Sequence, residues 1–355
     1  MEYSKEELLR HVGSMQQLIY ARPLRYQEGR SEGMNAYEVK CGDLFFHAAA
    51  DKCLDISDLS YKGMNMTFLS KPGLIGRNAW DTAGAEAQRS IMCGLFFTCG
   101  LENICAPCNI DGKDYPMHGR LRTTPAEHCS SDVIIGEEGA KVILSGEIRE
   151  AELFGENLVL RRRIETELGK NSILISDEIE NQSFREEPFM LMYHCNMGYP
   201  FLNESSEVFL PSLEVKGREE FSEKHKDKWN RMEAPVDNAE EYVFFHKLSS
   251  DSENNTMALI VNNDRSIGLS IEFNMENLPW FTEWKSVCSG DYVMGLEPAS
   301  VTPYNREHHL NNGGLKTIAP FEKKRMSVRF TVMDGEEEIN SAKNRIKNLI
   351  QRRDI

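Results

Sequence analysis

From about residue 35 this chain falls into short segments, interrupted by Gly, Asn, Asp and Pro, in which apolar and polar side chains alternate one by one. The clearest run is Met326, Val328, Phe330 and Val332, interleaved with Arg325, Ser327, Arg329 and Thr331. A period of two puts the apolar set on one face of a β-strand and the polar set on the other. The segments VILSGEIRE from Val142, LVLRRRIETEL from Leu158, SILISDEIE from Ser172, EYVFFHKL from Glu241 and IGLSIEF from Ile267 have the same texture. Turn formers follow several of them, as in LGKN at 168–171 and NNDR at 262–265. Only the two ends read as helix. Apolar residues recur at helical spacing over 5–19, and the stretch from about Glu336 is charged and helix-permissive. Many short strands with few helical patterns between them predict an all-β antiparallel sandwich rather than a βαβ fold. With no repeat and no linker, the expected organisation is a helical extension over 1–34 and one domain over 35–355.

Composition narrows the class. A chain of 355 residues with 40% hydrophobic residues can build a full core without disulfide or metal staples. Its net charge of −15 argues against a nucleic-acid partner, which calls for clustered Lys and Arg. The N-terminus lacks the apolar run of a signal peptide, and stretches such as 189–193 and 258–261 are too short to span a bilayer. Nine cysteines, an odd and scattered set, suit reduced thiols. A cytoplasmic protein that handles a small molecule, with no membrane partner, is therefore expected.

The dinucleotide-binding glycine motif, the Walker A loop, H-E-x-x-H and G-x-S-x-G are all missing. Cys105-x-x-Cys108 has no second pair, and Glu307-His308-His309 reads as a solvated polar cluster rather than a metal site. No metal or cofactor is expected.

Three segments have more chemical character than their surroundings. Met117-His118-Gly119-Arg120 follows a turn-like DGKD and lies outside any apolar period. It fits a loop that approaches a polar ligand, or a hydrogen-bonded loop histidine. Met190-Leu-Met-Tyr193-His194-Cys195-Asn196-Met-Gly198-Tyr-Pro200 is an apolar run ending in polar side chains. His194 there either faces a cleft or is a core histidine on a backbone carbonyl. Met294-Gly295-Leu296-Glu297-Pro298 sets a carboxylate before a proline, which holds Glu297 extended. Trp80, Trp280 and Trp284 could offer faces to sugar C–H groups, while Asn, Arg and His edges bond hydroxyls.

Taken in order, these segments carry a resemblance. The series is DKCLDI at 51–56, CGLFFTCGLEN at 93–103, His118-Gly119-Arg120, YHCNMGYP at 193–200 and Gly295-Leu-Glu297-Pro298. Over about residues 35–333 the chain resembles an uncharacterised branch of the aldose 1-epimerase superfamily. The resemblance implies the galactose mutarotase-like supersandwich, with short helices at the two ends. It implies His194 as acid, Glu297 as base and His118 as sugar-binding histidine. Arg120 would also hold the sugar, with Arg77 and Arg89 flanking the Trp80 loop, and Asn196 and Trp280 would add contacts. The substrate would be a free or modified monosaccharide, neutral or anionic, and the protein a monomer or homodimer. The segment 77–108 is longer than in a plain galactose mutarotase, so the resemblance does not fix the sugar. Three readings stay open: anomer exchange, proton abstraction from a sugar carbon (isomerase, epimerase or lyase), and sugar binding without catalysis.

Overall fold

The computed structural model describes residues 4–76, 84–137 and 139–351. Three large antiparallel sheets build the fold, and two further pairs of short strands, Glu187–Pro188 with Thr317–Ile318 and Cys108–Ile110 with Lys113–Tyr115, stand beside them. The largest has eight strands in the order Ser206–Phe209, Asn255–Asn262, Ile267–Asn274, Lys323–Asp334, Ser172–Asn181, Asn157–Glu167, Gly139–Ala151 and Ala126–Gly136. A six-stranded sheet has the order Ser212–Gly217, Tyr242–Leu248, Trp280–Cys288, Asp291–Ala299, Met190–Met197 and Phe97–Leu101. Five strands between Ile19 and Asn65 form the third sheet. The alternating segments of the sequence are all strands, as their period of two requires.

The core lies where the inner faces of the eight- and six-stranded sheets meet. Ile175, Ile179, Val328 and Phe330 from the first join Tyr193, Cys195, Phe244 and Leu296 from the second in one buried cluster. Phe96 links the two, stacked on Tyr193 at 4.7 Å and edge-on to Phe330 at 6.0 Å. A second, smaller cluster of Met92, Phe97, Cys99, Ile104, Met190 and Met192 covers part of the opposite face of the six-stranded sheet. His194 stands where that cover ends, two residues along the strand from Met192.

At the C-terminus the helix Glu336–Gln351 lays Ile339, Ala342 and Ile346 on Leu259, Val261 and Met333 of the eight-stranded sheet. The N-terminus corrects the sequence reading. Its helix is Lys5–His11 alone, capped by the Ser4 hydroxyl, and it stops before Gly13. The strand Ile19–Arg25 then pairs residue for residue with Asn35–Cys41. The helical spacing over 5–19 is realised only as far as His11: Gly13 and Ser14 break it, Met15–Gln17 form a 3₁₀ turn, and Ile19 already belongs to the ladder, so a domain boundary at residue 34 would cut a sheet in two.

Candidate functional site

One row of side chains crosses the whole six-stranded sheet. Register sets Phe97 beside His194 and Thr282 beside Glu297. Phe245 lies beside Thr282, and Lys216 beside Phe245. The pairs Met192↔Ala299 and Cys195↔Leu296 bring His194 opposite Glu297. Direct cross-strand neighbours share a face, so the row Phe97–His194–Glu297–Thr282–Phe245–Lys216 points away from the core into a cleft.

At its centre His194 Nε2 lies 3.0 Å from Glu297 Oε1, with the side chains 12% and 4% exposed. The two are within ion-pair reach, yet Glu297 Oε1 has no aligned hydrogen bond. His118 comes from a loop, its ring centroid 5.8 Å from that of His194. Trp284 closes the other side at 5.2 Å from the His194 ring and donates its indole N–H to Glu241 at 2.8 Å. With Cys105, Arg218 and Thr282 these groups line a cavity of about 300 Å³.

The HGR segment is held in a conformation unusual for histidine. His118 has φ +59° and Gly119 φ +72°. The His118 N–H donates to Cys105 at 2.9 Å, and its carbonyl accepts from Gly100 at 3.1 Å. A Cβ at 119 would run into the Gly100 carbonyl, so the close approach of loop and strand edge needs glycine. Gly295 has a different purpose: a Cβ there would lie 3.0 Å from Glu297 Oε1 and 3.2 Å from His194 Cε1.

The two histidines are tuned in opposite directions. Burial pulls the His194 pKa down, but the Glu297 carboxylate outweighs it and leaves the value raised above 6.5. His118 is held well below 6.5 by burial, then by the charges of His194 and Arg122. Arg122 is itself buried and lowered to about 10 by that burial. It bonds the Met117 carbonyl at 3.1 Å and the Ser90 hydroxyl at 3.2 Å. Nδ1 of both histidines and Oγ1 of Thr282 are buried without a hydrogen-bond partner among the described residues. Such groups are uncommon in folded proteins, and here they gather round one cavity.

Behind the cleft the strand is fixed from within. Tyr193 donates to Asp177 at 2.6 Å, and Arg162 binds the same carboxylate through Nε and Nη2 at 2.9 and 2.7 Å. Arg162 also reaches Asp55 at 2.6 Å and Thr98 at 2.9 Å. All these side chains are buried. The bonds tie the strands of His194 and Phe97 to the eight-stranded sheet.

The sequence-named residues divide. His118, His194 and Glu297 meet in the cavity. Asn196 supports them from the side, donating to the His194 and Gly94 carbonyls at 3.1 and 3.0 Å. Arg120 turns away: it pairs with Glu102 and donates to the Asp114 carbonyl, and it does not line the cavity. Arg89 is exposed and pairs with Glu86 at 3.2 Å. Arg77 and Trp80 lie outside the described residues. Trp280 lines a neighbouring hollow rather than this one. His309, expected in solvent, is buried with Nε2 2.9 Å from the Thr302 carbonyl. Arg122, Thr282, Glu241 and Arg218 had no sequence signal, because register and loop turn alone bring them here. Among the described residues one trio, Glu127, His128 and Glu147, has potential metal-ligand atoms within 4.8 Å of one another. It stands on the eight-stranded sheet, with Glu147 bonded to Arg149 and Arg161.

No helix among the described residues is long and apolar enough to cross a membrane. Solved structures with the same fold include a candidate aldose 1-epimerase from Klebsiella pneumoniae, at TM-score 0.89 and 19% identity over 99% of this chain and 91% of that one. A galactose mutarotase-like protein from Clostridium acetobutylicum matches at TM-score 0.62 and 12% identity over 90% and 99%. A galactose 1-epimerase from Lactobacillus acidophilus matches at 0.53 and 12% over 90% and 100%. At such identities the likeness is one of fold, which is the galactose mutarotase-like β-sandwich. Comparison with the curated proteins finds no match by sequence. The model of a domain of unknown function, DUF4432, covers residues 31–332, and the chain belongs to that family.

Proposed function

We propose that the protein exchanges the α and β anomers of a reducing sugar by acid–base catalysis. The observation that carries this reading is the 3.0 Å approach of His194 Nε2 to Glu297 Oε1 beside His118 in one cavity. A hemiacetal has its ring oxygen and its hydroxyl on the same carbon, so its acid and its base must converge. His194 Nε2 gives a proton to the ring oxygen as the C1–O5 bond breaks, and Glu297 takes the proton of the anomeric hydroxyl as the carbonyl forms. After rotation about C1–C2 the same protons return in reverse and the ring closes on the other face. His118, held neutral, bonds a sugar hydroxyl without adding a charge. The chemistry needs no cofactor, and each proton transfer is worth about 10²–10⁴-fold.

The test is anomeric exchange measured by NMR on freshly dissolved aldoses, with wild type against H194A and E297Q. Acceleration lost in both variants supports the reading. Solvent deuterium appearing at a sugar carbon would replace it with carbon-acid chemistry, because anomer exchange moves only oxygen-bound protons. Binding without any rate would leave a sugar-binding protein.

A further inference from the structure

A second hollow begins where the His194–Glu297 cavity ends, and Thr282 and Pro303 line both. It is the larger of the two, about 500 Å³ against about 300 Å³. Phe245 stands in it, beside Thr282 on the adjacent strand. Trp280 is two residues from Thr282 on one strand, so it shares the cleft face, and it is 46% exposed. Glu214, Lys216 and Lys247 give the hollow a charged edge. From Glu297 to Phe245 is two strand spacings, about 10 Å. A disaccharide is roughly that long from end to end, so a sugar whose reducing ring is held at Glu297 carries its linked ring toward Phe245. Aromatic faces with charged and hydroxyl groups around them suit a pyranose, whose C–H face packs on the rings while its hydroxyls reach the edge.

We infer that this hollow is a second sugar subsite, so that the substrate is the reducing end of a disaccharide or longer oligosaccharide whose next residue packs on Trp280 and Phe245. For the reaction, though not for the binding, this rests on the anomer-exchange reading.

The test follows anomeric exchange by NMR with glucose, galactose, maltose, cellobiose and lactose, and binding of the same sugars by calorimetry, in wild type, W280A and W280F. At least one disaccharide is expected to be processed about tenfold more efficiently than its own reducing-end monosaccharide. W280A abolishes that preference and W280F keeps part of it. If W280A does not fold, K216A at the charged edge weakens the same preference. Equal handling of monosaccharide and disaccharide, or a preference that the variants leave intact, overturns the subsite while anomer exchange stands. If no sugar is exchanged, the reaction reading falls and calorimetry decides the subsite. Disaccharide binding weakened in W280A then upholds it, and absence of disaccharide binding overturns it.

Discussion

Tyr193 and His194 are consecutive on one strand and serve opposite faces of it. The tyrosine hydroxyl donates to buried Asp177 at 2.6 Å, while the histidine Nε2 stands 3.0 Å from Glu297 in the cleft. Alternation along the strand thus places a structural anchor directly behind a candidate catalytic group.

That anchor can be weakened by itself. Y193F removes one hydrogen bond from a buried carboxylate and is expected to cost about 1–3 kcal/mol in denaturant unfolding. R162M leaves Asp55 and Asp177 buried without their cation and is expected to cost more, about 3–5 kcal/mol. Equal and small losses in both variants would show that the network is not holding the sheets.

Gly295 tests the site without touching a titratable group. The methyl of G295A would sit between Glu297 and His194, at 3.0 Å and 3.2 Å. The glycine has no positive φ, so the backbone accepts alanine. Anomeric exchange is expected to fall about 100-fold with the folded state retained by near-ultraviolet circular dichroism. An unchanged rate in a folded G295A protein would remove this pair from the reaction.

The two histidines are expected to titrate apart. Imidazole NMR should find His194 protonated above pH 6.5 and His118 neutral well below it. In E297Q the carboxylate that does most to raise His194 against its burial is gone, and its titration moves down. A His194 titration unmoved by E297Q would contradict the pairing.

His118 also sets an acid limit on stability. Its folded-state pKa is depressed, so below pH 6.5 the unfolded chain takes up a proton that the folded chain refuses. Its contribution is complete above 6.5 and is lost as pH falls from there. H118N cannot ionise, and asparagine tolerates the positive φ. The variant is expected to show a flatter fall of Tm between neutrality and pH 5 than wild type, and parallel curves would exclude this source.

The strands, and with them His194 and Glu297, were legible because a period of two survives in the sequence and the polar ending of an apolar run stands out. Arg120 misled for a local reason. The chain turns into a short 3₁₀ segment at Leu121–Thr123, which sends Arg120 out to Glu102 and Arg122 into the protein behind His118. Sequence spacing holds no sign of that rotation. Thr282, Phe245 and Lys216 join the row only through the register of strands far apart in the chain, which no local pattern encodes. At the N-terminus the helical spacing of 5–19 runs past a break at Gly13 and Ser14, and only Ile19 at its end is taken by the strand partner at Asn35–Cys41.

The distance between His194 and Glu297 is written into a hydrogen-bonded ladder, whereas His118 and the 302–304 turn reach the cleft on connecting segments. Proton transfer therefore rests on the ladder, while part of the recognition rests on the segments that connect its strands. Connecting segments can lengthen, shorten or be exchanged between relatives while the spacing of acid and base stays as the ladder sets it. The sheet serves as a fixed chassis, and a diversity of substrates across such proteins can arise at its rim without the reaction being invented again.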